Sequence, residues 1–295
     1  MSSAPSTSPA ATMNAAPQGG PDAVDWSLVR RQITGILRLE IRKNLLSRRA
    51  FVLYFLALAP VGLMTLWALF ASPTEYISGP IEASRVFALT YVGYLGTSIF
   101  LSCVILFMSL FRAEILERSL HYYLLTPVRR EALVVGKYVS ALASIAAVYG
   151  VSTLLLYVIT MSPWGLGEAS RFLFQGPGLS NLLSYVGISI LACVGYGALF
   201  LLAGLVFRNP VITAALIWGW EFINFLLPAW LKKISVVFYL KSLLPIPLSE
   251  GQFSVMADPI PAWISVPGLM LFTALLLILA CWRMRRMEVT YAGDD

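Results

Sequence analysis

Residues 114–137 read EILERSLHYYLLTPVRREALVVGK, and this charged stretch separates two long apolar segments. Each charge would cost about 2.5–3.5 kcal/mol at the centre of a bilayer, so the stretch must lie in water between two membrane spans. Its apolar residues recur at helical spacing, namely Ile115, Leu116, Leu120, Tyr123 and Leu124. This pattern predicts a short amphipathic helix at the membrane surface.

The composition of the whole chain is that of an integral membrane protein. Of its 295 residues, 58% are hydrophobic and only 12% are charged, and the mean hydropathy is +0.78. Soluble domains contain about 25% charged residues. Cys103, Cys193 and Cys281 all fall in apolar runs without metal-ligand spacing, so we interpret them as buried apolar side chains.

Six apolar segments approach or exceed the ~20 residues that a helix needs to cross a bilayer. The predicted fold class is therefore an all-α integral membrane protein with six transmembrane helices. The fourth span is rich in small residues, which allow close approach of helices in lipid. The predicted spans are 51–71, 88–111, 133–161, 182–207, 211–230 and 263–282.

The remaining segments differ from one another in composition. Residues 1–25 are rich in Ser, Ala, Pro, Thr and Gly, which predicts a disordered cytoplasmic tail, and residues 288–295 form a second short tail. Residues 26–49 combine an apolar helical stripe with seven cations, which predicts an amphipathic helix in the lipid headgroups rather than a nucleic-acid site. Residues 231–262 mix apolar runs with prolines and lysines, and predict short helices that dip into the outer leaflet.

The distribution of cations predicts the orientation in the membrane. With six spans, both termini and the connection between spans 2 and 3 share one side, which carries sixteen Lys and Arg residues against five on the other. The positive-inside rule places the richer side, and so both termini, in the cytoplasm.

Few side chains are available for catalysis. His121 is the single histidine, and no cluster of His, Asp or Glu lies within the spans, so no catalytic and no metal-binding residues are predicted. Gly136-Lys137 lacks the rest of a phosphate-binding loop, because Glu131 and Tyr138 replace its first Gly and its Ser or Thr. Lys137 is instead expected to extend towards the headgroups.

One carboxylate lies inside a predicted span. Glu221 is halfway along the fifth span, with Asn224 one turn later and Trp218 and Trp220 beside it. An acidic residue within a membrane suggests a functional site, so Glu221 and Asn224 are candidates for a translocation path. The alternatives are a protonated or hydrogen-bonded glutamate that joins helices, and a fifth span placed so that Glu221 is near the outer interface.

The segment 124–137, LLTPVRREALVVGK, resembles the cytoplasmic loop of type-2 ABC transporter permeases. In that family an acidic amphipathic stretch leads to a Leu-Leu-(Ser/Thr)-Pro turn, then to basic and acidic residues, and finally to Gly-Lys at the start of the third span. The matching residues are Leu124, Leu125, Thr126, Pro127, Arg130, Glu131, Gly136 and Lys137. The usual Gly-Thr-Leu-Glu is Arg-Ser-Leu-His at 118–121, so the acid of that motif is absent.

The resemblance implies the membrane subunit of an ABC exporter in the cell (inner) membrane. Such a subunit pairs with a second copy or a paralogue and docks on a separate ATPase, which binds ATP and Mg²⁺, so this chain would need no cofactor and would not be an enzyme. The loop would be a cytoplasmic coupling helix between spans 2 and 3. Its expected ATPase contacts are Glu117, Arg118, His121, Tyr122, Leu125, Pro127, Arg129 and Arg130.

The alternative function is an ATP-independent secondary transporter or channel subunit. Such a protein would contain inverted repeats and broken helices at matching places in its two halves. No such repeat is evident, although the segment after span 5 is a partial match. A lipid-modifying membrane enzyme is disfavoured because acids, His and Cys do not cluster. The sequence does not indicate the cargo.

Overall fold

A computed structural model describes residues 34, 35, 37, 40–70, 74, 77–116, 130–207, 209–223, 228–246 and 260–286. Within these residues the regular structure is helical, and none of them forms a strand. The helices are α1 (40–46), α2 (Arg48–Phe70), α3 (Pro80–Thr90), α4 (Gly96–Leu116), α5 (Arg130–Met161), α6 (Gly165–Gln175), α7 (Gly178–Val206), α8 (Pro210–Ile223), α9 (Ala229–Lys232), α10 (Val236–Lys241) and α11 (Ala262–Arg285).

Among the residues that the structure describes, five apolar helical stretches are long enough to cross a membrane. Each has at least 21 residues, which at about 1.5 Å per residue equals or exceeds the ~30 Å hydrocarbon layer. The prediction of an all-helical, multi-pass membrane protein is therefore confirmed, and the stretches overlap predicted spans 1 to 4 and 6. They are Ala50–Phe70, Pro80–Arg112, Arg130–Trp164, Gly178–Val206 and Ala262–Arg285.

The fifth predicted span has a different form. The described part of helix α8 has 14 residues, which corresponds to about 21 Å. Pro228 has extended backbone angles (φ −63°, ψ 154°) and precedes the four-residue α9. The predicted continuous helix over 211–230 is therefore wrong in extent, because the chain is no longer helical at Pro228. The total of six crossings stays a prediction.

Helix α7 lies at the centre of the bundle, where it packs against α4, α5, α10 and α11. A Cβ atom at Gly204 would lie 2.9 Å from the Cα of Met108, and one at Gly197 would lie 2.6 Å from the Phe107 ring. Glycine at these two positions therefore permits α4 and α7 to approach closely, as predicted. Gly187 does not share this role, since nothing lies within 4 Å of its position.

Helices α3 and α4 are joined by a π-helical turn, Tyr91–Leu95, in the middle of a membrane-length stretch. The Tyr91 hydroxyl donates to the Tyr185 carbonyl over 3.0 Å and lies 2.9 Å from the Ser189 hydroxyl. Ser189 Oγ is in turn 2.8 Å from Thr153 Oγ1. A buried chain of hydrogen bonds thus joins the π turn to α7 and α5. Turns of this kind frequently occur at functional sites.

Candidate functional site

The structure describes only part of the predicted site. Arg130 and Glu221 lie within the described residues, whereas the tails 1–25 and 288–295 lie outside them. The other predicted site residues also lie outside, and for these the ATPase contact and the translocation path stay predictions. They are Glu117, Arg118, His121, Tyr122, Leu125, Pro127, Arg129 and Asn224.

Charged side chains gather where α4 ends and α5 begins. Arg112 Nη1 donates to the Phe207 carbonyl, which follows α7, over 3.3 Å. Arg130 Nη1 donates to the Arg285 carbonyl in the last turn of α11 over 3.1 Å. Carbonyls at a helix C-terminus have no partner within their own helix, so these two arginines satisfy them. We call this group the charged junction, formed by Glu40, Arg112, Arg130, Glu131, Lys137 and Arg285.

Lys137 and Glu40 form a buried ion pair in the charged junction. Lys137 Nζ lies 2.7 Å from Glu40 Oε1, and the two residues are only 1% and 2% exposed. The ammonium also lies 5.8 Å from the centre of the Phe111 ring, within the range of a cation–π contact. The expectation that Lys137 extends towards the headgroups is therefore wrong, because α1 covers the side chain and supplies a carboxylate.

A second ion pair of the junction lies at the surface. The Glu131 carboxylate accepts a hydrogen bond from Arg285 Nε, and the Arg285 side chain is 65% exposed. Glu131 and the predicted ATPase contact Arg130 therefore both hold the start of α5 against the end of α11. Sequence reasoning identified Arg130, Glu131 and Lys137 as motif residues but missed these partners, which lie 97 to 155 residues away along the chain.

Glu221 joins α8 to α10. It is 8% exposed, and its carboxylate accepts hydrogen bonds from the backbone N–H of Val236 over 3.0 Å, from that of Val237 over 3.2 Å, and from the Ser235 hydroxyl. The two amides open α10 and have no acceptor within that helix. Of the alternatives for Glu221, the contacts match a hydrogen-bonded glutamate that ties helices together.

A cavity of about 190 Å³ lies beside Glu221. It is bounded by the π turn and the first turns of α4, and by α7, α8 and α10. Sequence reasoning placed Trp218 next to Glu221 but missed the cavity, because its other walls come from distant helices. Its main aromatic and polar lining residues are Tyr91, Phe100, Tyr196, Trp218, Glu221 and Lys241.

The cavity offers polar and aromatic groups that a ligand could contact. In the described ranges, no three His, Cys, Asp or Glu side chains are grouped so that they could hold a metal ion. What the cavity does provide is a carboxylate, a cation and aromatic faces around one partly open space. Such a combination of apolar walls and a few polar groups is typical of ligand sites.

Comparisons with known proteins do not place the chain in a family. No protein-family model matches it, and no match to a curated protein or to a solved structure was found. The class of protein is therefore defined by the fold alone. The chain is a multi-pass membrane protein whose described residues are helical in their regular structure, with five membrane-length helical stretches among them and shorter helices between the fourth and the fifth.

Proposed function

We propose that this chain is the membrane-spanning permease subunit of an ATP-driven ABC exporter. In this proposal it pairs with a second copy or a paralogue in the cell (inner) membrane, with both termini and the 117–129 connection in the cytoplasm. A separate ATPase subunit binds ATP and Mg²⁺ and docks on that connection. The type-2 permease pattern in residues 124–137 and the excess of cations on the predicted cytoplasmic side support it.

The single observation that carries the proposal is the anchoring of the two helices that flank this connection. Arg112 ties the end of α4 to the end of α7, and Arg130 ties the start of α5 to the end of α11. Lys137 ties α5 to α1 through a buried ion pair. A force applied to residues 117–129 would therefore reach three other helices directly, which is what a coupling element requires.

The test is to purify the tagged full-length protein from its own membranes in mild detergent and to identify co-purifying proteins by mass spectrometry. We expect to recover an ATPase that contains a phosphate-binding loop, with close to one ATPase molecule for each molecule of this chain. If no ATPase is recovered, under conditions in which a known ABC complex stays intact, the coupling proposal is wrong.

A pair of variants makes this test specific to the connection. Arg129→Glu reverses a charge in the predicted contact, and we expect it to lower the recovered ATPase by about tenfold, the effect of a loss of about 1.4 kcal/mol. Arg171→Glu makes the same change at an exposed position of α6 and should leave recovery unchanged. Arg129 is a better probe than Arg130, because Arg130 also holds the end of α11.

An ATP-independent secondary transporter or channel subunit is the second candidate, and a specific observation favours it. The chain is interrupted after α8 beside a cavity that contains a carboxylate, and broken helices with a polar site near the midplane occur in many secondary transporters. If the purification yields no ATPase, this function becomes the leading one. Reconstitution in vesicles would then test for flux driven by an ion gradient alone.

A further inference from the structure

The cavity lies between the helices at mid-membrane depth and is open on one side. Val236, at the start of α10, packs against Gly195, where an added Cβ would come within 2.9 Å of its Cγ1. Gly195 precedes the end of α7 by eleven residues, or about 16 Å along the helix, and follows its start by more than this. Helix α10 and the cavity beside it therefore lie at membrane depth, where ligands arrive from the lipid.

One wall of the cavity is aromatic and opens outward. The Trp218 and Phe222 rings of α8 stack with their centres 5.9 Å apart, and the two residues are 50% and 66% exposed. Deeper in the cavity, Ile188 and Ala192 of α7 provide buried apolar surface. A hydrocarbon chain can thus lie along the open wall, and the aromatic faces can also contact a cationic group.

The polar groups gather on one side. Tyr196 and Lys241 both lie within electrostatic range of Glu221. Tyr196 is only 4% exposed and lines the cavity. Glu221 already accepts three hydrogen bonds. Because Tyr196 lines the cavity, its hydroxyl can donate a hydrogen bond to an acceptor on a ligand bound there.

The size of the cavity limits what it can hold. A dry protein cavity of 150 Å³ is known to bind benzene, so about 190 Å³ has room for one headgroup or one short chain segment, but not for two acyl chains. The carboxylate of Glu221 and the ammonium of Lys241 carry opposite charges. A group with one positive and one negative charge complements this pair better than an anion or a cation alone.

We propose that the cavity binds the zwitterionic head of a single-chain amphiphile of the phosphocholine or phosphoethanolamine type. The phosphate lies near Lys241 and accepts a hydrogen bond from Tyr196, and the ammonium lies near Glu221 and the Trp218 ring. The chain leaves the cavity along Trp218 and Phe222 towards the lipid. Only the further step, that this ligand is the exported cargo, rests on the proposed function.

The experiment uses the full-length protein in nanodiscs and a lysophosphoethanolamine with a photoreactive diazirine in its chain near the head. Labelled residues are mapped by mass spectrometry. We expect saturable labelling of residues on α8 and α10 that line the cavity. Labelling that does not saturate, or that follows only the outer faces of the bundle, overturns the proposal.

The head is identified by competition with four C12 amphiphiles, namely dodecylphosphocholine, dodecyl phosphate, dodecyltrimethylammonium and dodecyl maltoside. The zwitterion should compete best. Lys241→Gln should weaken competition by dodecylphosphocholine about fivefold, as expected for one exposed charge contact. Equal competition by all four heads, or strongest competition by the anion or the cation, would contradict the assignment.

Two matched controls separate binding from general damage to the fold. Lys233→Gln removes an exposed lysine outside the cavity and should leave the competition unchanged. Tyr196→Phe removes only the hydroxyl and should weaken binding, whereas Tyr94→Phe makes the same change at an exposed position and should not. Because no ATPase is needed, this result is independent of the co-purification test.

Discussion

Glu40 and Glu221 are both more than nine-tenths buried, but their carboxylates have different kinds of partner. Glu40 faces the Lys137 ammonium, a formal charge, in the charged junction. Glu221 faces a hydroxyl and two backbone amides beside the cavity. A buried ion pair is costly to break because one unpaired charge remains. Amide donors hold a carboxylate without cancelling its charge, so Glu221 can still attract a ligand cation. The first arrangement suits a rigid connection and the second suits a binding site.

The most severe test of this comparison is Lys137→Met, which leaves Glu40 buried without its counter-ion. We expect a loss of about 3–5 kcal/mol of stability, because an uncompensated buried charge remains. The measurement is the thermal unfolding midpoint of the purified protein in detergent. Arg42→Met, at an exposed position of α1, serves as the control.

The double variant Glu40→Leu with Lys137→Met removes both charges. It should recover most of the stability that Lys137→Met loses, because apolar side chains can replace a buried ion pair. If the single variant unfolds at the same temperature as the Arg42→Met control, the ion pair does not hold α1 to α5.

Glu221→Gln tests the other carboxylate. The new amide nitrogen can only donate, so at least one donor among Ser235, Val236 and Val237 loses its acceptor, at a cost of about 1–3 kcal/mol. The same unfolding measurement applies, with Glu168→Gln at an exposed position of α6 as the control. Transport at the full rate by the Glu221→Gln protein would remove Glu221 from the translocation path.

A smaller effect is expected for Ser235→Ala. Ser235 is fully buried, and its hydroxyl donates to Glu221, which keeps two backbone donors after the change. The expected loss is about 0.5–1.5 kcal/mol, the usual net contribution of one hydrogen bond. Ser170→Ala, at an exposed site on α6, should change the unfolding midpoint less. A loss as large as that of Glu221→Gln would mean that the two amides contribute little.

The smallest effect is expected for Arg285→Gln, which removes the surface ion pair with Glu131. With the side chain 65% exposed, the pair should contribute less than about 1 kcal/mol, and high salt should abolish the difference from wild type. Arg283→Gln is the control, because Arg283 is also an exposed residue of α11. A loss comparable to that of Lys137→Met would show that burial does not decide the strength of these pairs.

Hydropathy was sufficient to locate the long helices but not the break after α8. Residues 211–230 are apolar nearly throughout, so the mean hydropathy over a window does not reveal where the helix is interrupted. The break depends on a place for α10 within the bundle. Gly195 and Gly268 leave the space that α10 occupies. An added Cβ at Gly195 would lie within 3 Å of Val236, and one at Gly268 would lie within 3 Å of Tyr239. That contact involves three separate helices and has no local signal.

The sequence by itself determined that this chain is helical and spans a membrane many times. In lipid each backbone N–H and C=O group must form its hydrogen bond within the protein. The long apolar segments of this chain therefore form helices. Only the tertiary structure decided the partners of Lys137 and Glu221 and the existence of the cavity. The ion pair joins residues 97 positions apart, and the Glu221 contacts and the cavity join separate helices. The energies of these contacts depend on burial that arises only when the helices pack.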